Sequence, residues 1–221
     1  MLSAENITKT FEHKHGKVTA VDNASFEVKQ GEFLAITGPS GSGKSTILLA
    51  LGGMSAPDSG DILWDNSKIY GWHRKERAAW RGKTIGFLFQ TFNLIPYLTV
   101  YENIELALNL SGSANDKKSI NDIIEKMNLT NRLGHLPGEL SVGEQQRAAM
   151  GRALIKNPEI ILADEPTGNL DPENAMQIIS MLKEICRLGK TVVVVTHDPR
   201  VSESADRIIR IKDGKVLINA V

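Results

Sequence analysis

The stretch FLAITGPSGSGKSTILLALGG, residues 33–53, decides the fold of this protein. An apolar run that predicts a buried β-strand leads into a glycine-rich turn, and an apolar helical pattern follows the turn. The turn matches the spacing G-x-x-x-x-G-K-S over residues 38–45. Glycines let backbone amides turn inward without a Cβ in the way, and the helix N-terminus adds a positive dipole end. This context predicts a phosphate-binding loop, in which Lys44 contacts β- and γ-phosphates and the Ser45 hydroxyl is a ligand of Mg²⁺.

Short β-rich runs alternate with helical patterns along the rest of the chain, which predicts an α/β fold with a largely parallel central sheet. Two apolar runs, EIILAD at 159–164 and TVVVVT at 191–196, are too continuous for strands with one wet face. We expect both strands to be buried on both sides. The N-terminal third is strand-rich, a mostly helical stretch extends from about 99 to 156, and the C-terminal segment predicts a hairpin around Asp213 and Gly214.

The composition limits the classes of protein that fit this chain. It has 221 residues, 26 Lys and Arg against 26 Asp and Glu, and one cysteine. The balanced charge implies no bulk attraction to nucleic acid, and a single cysteine excludes an internal disulfide framework and suits a reducing compartment. No apolar run approaches the ~18 residues of a membrane-spanning helix, and the N-terminal residues contain no apolar segment of the signal-peptide kind. We therefore expect a cytosolic chain that contacts a membrane only through a partner or its surface.

Polar residues follow the buried strands at their C-terminal ends, which is the edge where ligands bind in open α/β sheets. Asp164 is suited to hold Mg²⁺, and the adjacent Glu165 is suited to act as a general base on water. Two surface acids at a strand end are the alternative interpretation. His197 follows the second buried strand and is suited to contact a γ-phosphate, although a single histidine is more often structural. Gln90 ends another strand pattern at this edge, and its amide can reach a metal or a water.

A capped helix start forms a separate motif, GELSVGEQQR at 138–147. Ser141 and Glu144 have the spacing of a capping box, in which each side chain accepts a hydrogen bond from the other residue's backbone amide. Gly143, in the first turn, is expected to leave its N–H exposed. Free amides, a hydroxyl and a positive dipole end together would form a second phosphate site. An ordinary capped helix is the alternative.

Three further features are expected to take no part in catalysis or metal binding. His13 and His15 are spaced like a metal pair, but no further ligand is nearby, so a solvated loop is the better account. Cys186 belongs to the apolar stripe of a helix predicted at 173–188, where a small buried hydrophobe is expected rather than a reactive thiol. The polar segment 111–118 predicts a flexible surface loop.

Six motifs occur in one order along the chain: GPSGSGKS, FLFQ, LSVGEQQR, ILADEP, GNLD and THD. This set resembles the nucleotide-binding subunit of an ATP-binding cassette (ABC) transporter, over essentially the whole chain. The resemblance implies a P-loop NTPase core with an N-terminal antiparallel β subdomain and an inserted α-helical subdomain. Within a single domain of residues 1–221, it places the core at 1–92 and 157–221 and the helical subdomain, with the signature helix, at 93–156.

The resemblance also implies ATP and Mg²⁺ as cofactors and assigns roles to individual residues. The implied catalytic residues are Glu165 as base, His197 as switch histidine, Gln90 of the Q-loop, and Lys44. The implied metal ligands are Ser45, Gln90 and Asp164. The residues implied to contact the nucleotide are Phe11, Gly38, Pro39, Ser40, Gly41, Ser42, Gly43, Lys44, Ser45, Thr46, Ser141, Gly143 and Asp171. Among these, Phe11 occupies the position of an aromatic that stacks on adenine, and Asp171 is the D-loop aspartate.

The resemblance implies partners as well. In that family two copies pack head to tail with ATP between the phosphate loop of one and the signature of the other. ATP binding closes the dimer, hydrolysis opens it, and the motion drives a membrane permease, which would hold the subunit on the cytoplasmic face. The segment QTFNLIPYLTVYENI, 90–104, is most similar to the branch for lipoprotein release, macrolide or peptide efflux and haem export. It is implied to lie where the cytoplasmic helices of the permease dock, and no nucleic-acid partner is expected.

The signature departs from the family's common LSGGQ at two positions. Val142 replaces a glycine, and Glu144 replaces a glutamine. A helix tolerates valine at its first position because only an ordinary negative φ is needed there. A branched side chain and a negative charge beside the partner's nucleotide are nevertheless expected to weaken ATP-driven dimerisation, with activity retained.

Three other classes remain as alternatives. A soluble ABC-type ATPase of DNA repair or chromosome organisation would separate its two halves by a long coiled coil, yet only about 95 residues without sustained heptads lie between Lys44 and Ser141. A translation-factor ABC protein would need two cassettes in one chain. A P-loop nucleotide kinase would need an acceptor site and a lid, and it would not account for the S-x-x-E helix or the GNLD segment.

Overall fold

The structure, a computed structural model, describes residues 1–14, 16–111 and 117–217. Its strands form two sheets. The strands of the antiparallel sheet are β1 (Leu2–His13), β2 (Gly16–Val28), β4 (Ser59–Trp64) and β5 (Ser67–Lys68), in the order β2-β1-β4-β5. The strands of the central sheet are β3 (Phe33–Thr37), β6 (Ile85–Leu88), β7 (Ile160–Asp164), β8 (Thr191–Thr196), β9 (Arg207–Lys212) and β10 (Lys215–Leu217), in the order β10-β9-β3-β8-β7-β6.

The central sheet is parallel except at one edge. β6, β7, β8, β3 and β9 pair in parallel, and only β10 runs antiparallel to its neighbour β9. All six residues of β8 are buried, as are the first four residues of β3 and of β7. The expected α/β fold with a largely parallel sheet, and the burial of these strands on both faces, are confirmed.

Side chains alternate between two hydrophobic clusters on the faces of this sheet. In β8, Val192 and Val194 belong to one cluster, and Val193 and Val195 belong to the other. This alternation follows from the period of two in a strand, and it lets one strand anchor two layers. Each valine that becomes fully buried contributes about 1.5–3 kcal/mol relative to exposure. A charged residue at Val194 would therefore disrupt both the sheet and the helical layer.

The α-helices of the described residues cover both faces of the central sheet. They are α1 (Lys44–Leu51), α2 (Arg74–Thr84), α3 (Val100–Leu110), α4 (Lys117–Lys126), α5 (Val142–Leu154), α6 (Pro172–Arg187) and α7 (Pro199–Ser202). α1 packs with the antiparallel sheet on one face, and α3, α4, α5 and α6 form the layer on the other. The predicted helical stretch between β6 and β7 is confirmed, whereas the subdomain boundaries at 92 and 156 stay a prediction.

The apolar stripe of α6 is buried as predicted, with one exception. Cys186, at its end, is half-buried, and its Sγ donates to the carbonyl oxygen of Gly31 at 3.2 Å. Burial, reinforced by Asp206 and Glu32, raises the pKa of the thiol, which disfavours the reactive thiolate. Cys186 therefore packs against the core as a small hydrophobe, but it is only partly buried.

Of two other local predictions, the C-terminal hairpin is confirmed, and the loop at 111–118 differs from the structure at its ends. The hairpin of β9 and β10 turns at Asp213 and Gly214, both with positive φ, as an Asp-Gly turn requires. Of the loop predicted at 111–118, residues 112–116 lie outside the described residues, Ser111 is a buried helix end, and α4 begins at Lys117. None of the helices in residues 1–14, 16–111 and 117–217 combines the length and apolar composition needed to cross a bilayer.

Candidate functional site

The phosphate loop of residues 38–45 is fixed by backbone that approaches it from two sides. Gly38 and Gly43 have positive φ values of 156° and 97°. A Cβ atom at Gly38 would lie 2.1 Å from the carbonyl oxygen of Ile211, and one at Gly43 would lie 2.0 Å from that of Ala20. Any side chain would collide with these backbone atoms, so both positions require glycine. β2 and β9 thereby set the shape of the loop.

The helix start that follows this loop differs from other helix starts of the protein. Gly43 is the N-cap of α1, no side chain caps it, and the first turn contains no acidic residue. The N-termini of α2, α3, α5, α6 and α7 are each capped by a side chain. In the order of these helices, the capping residues are His73, Thr99, Ser141, Asp171 and Asp198. The first amides of a helix have no intrahelical partner and carry the positive end of the dipole. α1 therefore presents donors suited to an anion.

Two polar side chains lie inside the loop itself. The Lys44 ammonium is buried and donates to the carbonyl oxygens of Gly38 and Pro39 at 2.9 and 3.0 Å. The Ser42 hydroxyl is buried, and it has no hydrogen-bond partner among the residues that the structure describes. Lys44 thus adds a full positive charge whose partners are neutral carbonyls, which suits a phosphate.

Ser45 and Asp164 are brought together from two elements 119 residues apart. The Ser45 hydroxyl donates to Asp164 Oδ1 at 3.0 Å, which joins α1 to the end of β7. Burial raises the pKa of the Asp164 carboxyl, and the hydrogen bond from Ser45 opposes that shift. A hydroxyl and a carboxylate are oxygen ligands of the kind that Mg²⁺ prefers. The charge of a bound Mg²⁺ would favour the ionised form of the Asp164 carboxylate. The residues present therefore fit a magnesium ion.

Glu165 has a left-handed backbone, with φ of 45°, immediately after β7. This conformation is strained for a residue with a side chain, and such strain occurs where surrounding contacts impose it. Here the Glu165 amide donates to the carbonyl oxygen of Val195 at 2.9 Å, and Oε2 accepts from the Thr196 hydroxyl at 3.2 Å. The end of β8 therefore determines where this carboxylate lies.

The structure pairs Glu165 with His197. Glu165 Oε1 lies 2.8 Å from His197 Nδ1, and Oε2 accepts from the His197 amide at 3.3 Å. The carboxylate is mostly buried, and the imidazole is largely exposed. The sequence placed both residues at one sheet edge without indicating a direct contact. A hydrogen bond to the ring fixes the orientation of both groups.

Gln90 lies beside the GNLD segment. Its carbonyl oxygen accepts from Asn169 Nδ2 at 3.2 Å, and its Nε2 would lie 3.8 Å from a Cβ at Gly168. The exposed glutamine is therefore next to the turn that follows Glu165. Its role as a metal ligand stays a prediction.

The capping box at the start of α5 is confirmed. Ser141 Oγ accepts from the Glu144 amide at 3.3 Å, and Glu144 Oε2 accepts from the Ser141 amide at 2.8 Å. The sequence did not indicate Arg132, whose Nε donates to Glu144 Oε1 at 2.8 Å. Arg132, followed by the Ser141 amide, lowers the pKa of Glu144 to about 2. The carboxylate stays ionised near neutral pH, and a cation offsets its charge.

The expectation of an exposed amide at Gly143 is wrong. Gly143 is buried, and a Cβ there would lie 2.3 Å from Asn174 Oδ1. Asn174 accepts from Arg147 Nη1 at 3.1 Å, and its Nδ2 donates to Asp171 Oδ2 at 2.6 Å. A side chain at 143 would displace the Asn174 amide, because α6 packs closely against this glycine. The start of α5 is thereby joined to the start of α6, where the Asn174 amide lowers the pKa of Asp171.

A second contact joins α5 to the turn after Glu165. Gln146 is buried, and its Nε2 donates to the carbonyl oxygen of Pro166 at 2.8 Å. Its Oε1 has no hydrogen-bond partner within the described part of the chain. The position of α5 is thus coupled to the strained Glu165, which nothing in the local sequence pattern could indicate.

The remaining predicted positions lie on the β1–β2 hairpin. Phe11 pairs with Val18 across the hairpin, and both are exposed, by 42% and 53%. Lys9 Nζ lies 5.7 Å from the centre of the Phe11 ring. An exposed apolar pair beside a cation suits a flat base, and adenine stacking stays a prediction. His15 lies outside the described residues, and the part of the chain that the structure describes contains no group of three or more His, Cys, Asp or Glu placed to hold a metal.

Comparison with known proteins gives consistent results. The family model described as ABC transporter matches residues 21–168. An uncharacterized ABC transporter ATP-binding protein of Methanocaldococcus jannaschii is 39% identical over 98% of this chain and 98% of its own length. The macrolide export ATP-binding/permease protein MacB of Chlorobaculum tepidum is 41% identical over 98% of this chain, which spans only 34% of that longer protein.

Solved structures of a cassette named MJ0796 are similar throughout. The dimeric structure of this bacterial ABC transporter cassette is 42% identical, with a TM-score of 0.92, and the match covers 99% of this chain and 97% of that one. A dimeric post-hydrolysis state of MJ0796 bound to ADP and phosphate matches with a TM-score of 0.93 over the same shares of the two chains, also at 42% identity.

Proposed function

The chain belongs to the ABC transporter family as an ATPase cassette, and from that premise we propose that two copies hydrolyse ATP head to tail to drive a membrane permease. The observation that carries this proposal is the start of α1. Its amides lack a capping side chain, Lys44 lies beside them, and Ser45 contacts Asp164. A nucleotide triphosphate with Mg²⁺ matches this combination of donors, charge and oxygen ligands.

Glu165 is the proposed general base. Its carboxylate is held by Thr196 and His197, so it has a fixed direction from which to accept a proton from water. Bound Mg²⁺, held by Ser45, Asp164 and Gln90, would neutralise charge on the phosphates. Lys44 and the amides of residues 38–46 orient the phosphates, and His197 contacts the γ-phosphate while its Nδ1 stays bonded to Glu165.

A second copy is proposed to complete each site with Ser141 and Asp171. These residues lie at the starts of α5 and α6, which Asn174 joins into one surface. The dimeric structures of MJ0796 support this arrangement. Because Gly143 is buried, the Ser141 hydroxyl and the dipole end of α5 are the proposed phosphate contacts, with Asp171 ordering the interface.

The proposal of a permease partner rests on the relatives as well as on this chain. The MacB of Chlorobaculum tepidum is named as an ATP-binding/permease protein, and this chain spans only 34% of its length. We propose that this subunit is held at the cytoplasmic face of a membrane by a separate permease of the lipoprotein, macrolide, peptide or haem branch. We also propose the core at 1–92 and 157–221 and the helical subdomain at 93–156.

Mixed dimers test the shared site. Copies with Lys44→Ala lack a working phosphate loop, and copies with Ser141→Arg lack a working signature. Each variant alone is expected to be inactive, whereas a mixture leaves one intact site in each mixed dimer and recovers up to about a quarter of wild-type activity. No recovery, with differently tagged copies shown to co-purify, would contradict the head-to-tail site.

Product analysis tests the reaction class. The expected products are ADP and free phosphate, with no phosphorylated acceptor. Transfer of labelled γ-phosphate to an added nucleotide or metabolite would instead support a nucleotide kinase.

A further inference from the structure

Two side-chain hydrogen bonds connect the turn after β7, which contains Glu165, to the turn after β8, which contains His197. In the first, the Thr196 hydroxyl donates to Glu165 Oε2 at 3.2 Å. In the second, the Thr167 hydroxyl donates to Asp198 Oδ2 at 2.8 Å. We call these the inner and the outer hydrogen bond. Positions 165 and 167 of one turn thus bond positions 196 and 198 of the other, on either side of His197.

The inner and the outer hydrogen bond are themselves joined. The Asp198 amide donates to Thr196 Oγ1 at 3.0 Å, so the Thr196 hydroxyl accepts from Asp198 while it donates to Glu165. Thr196 and Thr167 are both buried, with 0% and 2% of their surface exposed. Hydrogen bonds that are shielded from water strengthen one another along a chain of donors and acceptors. A change at Thr167 can therefore reach Glu165 through Asp198 and Thr196.

The charge of Asp198 is compensated without the outer hydrogen bond. Arg200 Nε and Nη2 donate to this carboxylate at 3.0 and 2.8 Å, and the Arg200 amide donates to it at 2.9 Å. The Arg200 side chain, followed by the Thr167 hydroxyl, lowers the pKa of Asp198 against the opposing effect of burial. Arg200 lies on the same turn as Asp198, whereas Thr167 is 31 residues away in the chain. The contribution of Thr167 is therefore a link between the two turns.

The His197 ring depends on such a link for its orientation. Its side chain is 70% exposed, so packing does little to hold it, and exposed side chains change rotamer readily. Its contact with Glu165 joins it to a residue whose own backbone is strained, with φ of 45°. The position of the ring is therefore set by Glu165 and by the backbone on either side of His197. A displacement of about 1 Å in such a group can lower a rate about a hundredfold.

We propose that Thr167 and Asp198 are positioning residues for ATP hydrolysis, because their hydrogen bond fixes the backbone beyond His197 and so keeps the imidazole aligned with Glu165. The inference rests on the proposed function, in which Glu165 is the general base and His197 contacts the γ-phosphate. Thr167 and Asp198 touch neither the nucleotide nor the attacking water in this proposal. Loss of their hydrogen bond should therefore slow the chemical step and leave the binding of ATP nearly unchanged.

The turn after β7 has other contacts that keep it attached when the outer hydrogen bond is removed. The carbonyl oxygen of Pro166 accepts from Gln146 Nε2 at 2.8 Å, and the carbonyl oxygen of Glu165 accepts from the Gly168 amide at 3.1 Å. Asp198 also keeps its bonds to Arg200. A variant at Thr167 is therefore expected to fold, with a change in alignment rather than a loss of the site.

Thr167→Val in the full chain tests the outer hydrogen bond, because valine keeps the branched shape of threonine and lacks the hydroxyl. The kcat for ATP hydrolysis should fall about tenfold, while the KM for ATP and the ATP-driven dimer fraction change by less than about twofold. Thr167→Ser should recover most of the kcat. The matched control is Thr191→Val at the other end of β8, since Thr191 is also buried and its hydroxyl accepts from the Gly31 amide at 3.0 Å. This control should lower the urea midpoint and leave kcat unchanged.

Two further measurements test how the effect is transmitted. Asp198→Ala removes the acceptor of the same bond, so adding Thr167→Val to it should lower kcat by less than about twofold further. The nuclear magnetic resonance signals of the His197 ring report its surroundings, and they can be identified by their loss in His197→Gln. These signals should shift in Thr167→Val and stay unchanged in Thr191→Val.

The outcomes separate this inference from the proposed function. An unchanged kcat in Thr167→Val, a raised KM with an unchanged kcat, or an equal fall in kcat for Thr191→Val would overturn the role of Thr167 and Asp198. Fully additive losses in the double variant would do the same. If Thr167→Val has no effect while Glu165→Gln stops turnover, the positioning role fails and the proposed function stands. If Glu165→Gln leaves turnover unchanged, the proposed general base fails, and the positioning role fails with it.

Discussion

The starts of α1 and α5 are two helix N-termini that the proposed dimer brings to one nucleotide, and they are built in opposite ways. α1 has no capping side chain and no acid in its first turn, and Lys44 lies beside it. α5 has a complete capping box, and its Glu144 is also bonded to Arg132. Both have the dipole of a helix end, so the difference lies in how many donors remain unused.

The difference indicates a division of labour between the two ends. Free amides and a buried lysine are suited to bind phosphate directly, and the proposed residues of the chemical step, Asp164 and Glu165, lie near α1. A satisfied helix end offers a dipole and a hydroxyl, which we propose as the contacts that close a second subunit over a bound nucleotide. Changes near α1 should therefore affect hydrolysis, and changes at α5 should affect dimer closure.

The largest effect is expected for Glu165→Gln. The amide keeps the size of the side chain but removes the base, so turnover should fall about 10²–10⁴-fold while phosphate contacts remain. ATP-bound dimers should accumulate, as measured by size-exclusion chromatography with ATP. Unchanged turnover would falsify the base assignment, and Glu184→Gln, near the C-terminal end of α6 and largely exposed, is the control.

Ser141→Ala tests the other end. Loss of the cap should reduce stability by about 1 kcal/mol, measured by urea unfolding, and should raise the ATP concentration needed for half-maximal dimerisation. The rate of hydrolysis within dimers that do form should change little. A fall in that rate as large as for Glu165→Gln would contradict the assignment of hydrolysis to the residues near α1 and of dimer closure to α5. Ser202→Ala, at the end of α7, is the control.

Arg132→Ala tests whether a cation offsets the charge of Glu144. Loss of Arg132 should weaken ATP-driven dimerisation about two- to fivefold, and adding Glu144→Gln should recover most of it. Recovery is expected because a neutral side chain no longer needs Arg132. If the double variant is as weak as Arg132→Ala alone, Arg132 acts in another way.

The same pair predicts a pH dependence. Since the pKa of Glu144 is lowered to about 2, its contribution to stability is fully present above its ordinary value of 4.5 and is lost as pH falls toward 2. Wild type should therefore lose more stability than Glu144→Gln between these pH values, measured by urea unfolding. Near neutral pH the difference between them should not vary with pH.

The smallest effects are expected for Val142→Gly and Glu144→Gln. Val142 is 44% exposed at the start of α5, and a smaller residue should let the second copy approach more closely. Because Arg132 offsets Glu144, Val142→Gly should raise the dimer fraction with ATP more than Glu144→Gln does. No change in either variant would contradict the idea that this signature restrains dimer closure.

Features set by neighbouring residues could be predicted from the sequence. Gly38 and Gly43 define a loop by spacing, Ser141 and Glu144 define a cap by spacing, and the stripe of α6 follows from helical periodicity. α2 was not predicted, since its polar and basic composition has no clear apolar stripe. The β1–β2 hairpin was predicted only in pieces, because its exposed half lacks the apolar alternation of a strand.

The remainder of the site depends on contacts between distant residues. Arg132 with Glu144, Gln146 with Pro166, and the packing of Gly143 against Asn174 each join segments that no local pattern relates. The expectation of an open amide at Gly143 failed for this reason. It considered one helix alone, whereas burial is a property of two packed helices.

The sequence by itself determined the family, the parallel sheet, the phosphate loop and the residue types that gather at one sheet edge. Those properties follow from short-range chemistry, in which glycine spacing and hydrophobic period act within one element. Only the tertiary structure decided the left-handed turn that directs Glu165 to His197, the cation that offsets Glu144, and the burial of Gly143 against α6. These depend on which elements pack together, because strain, charge compensation and burial exist only between surfaces that folding has brought into contact.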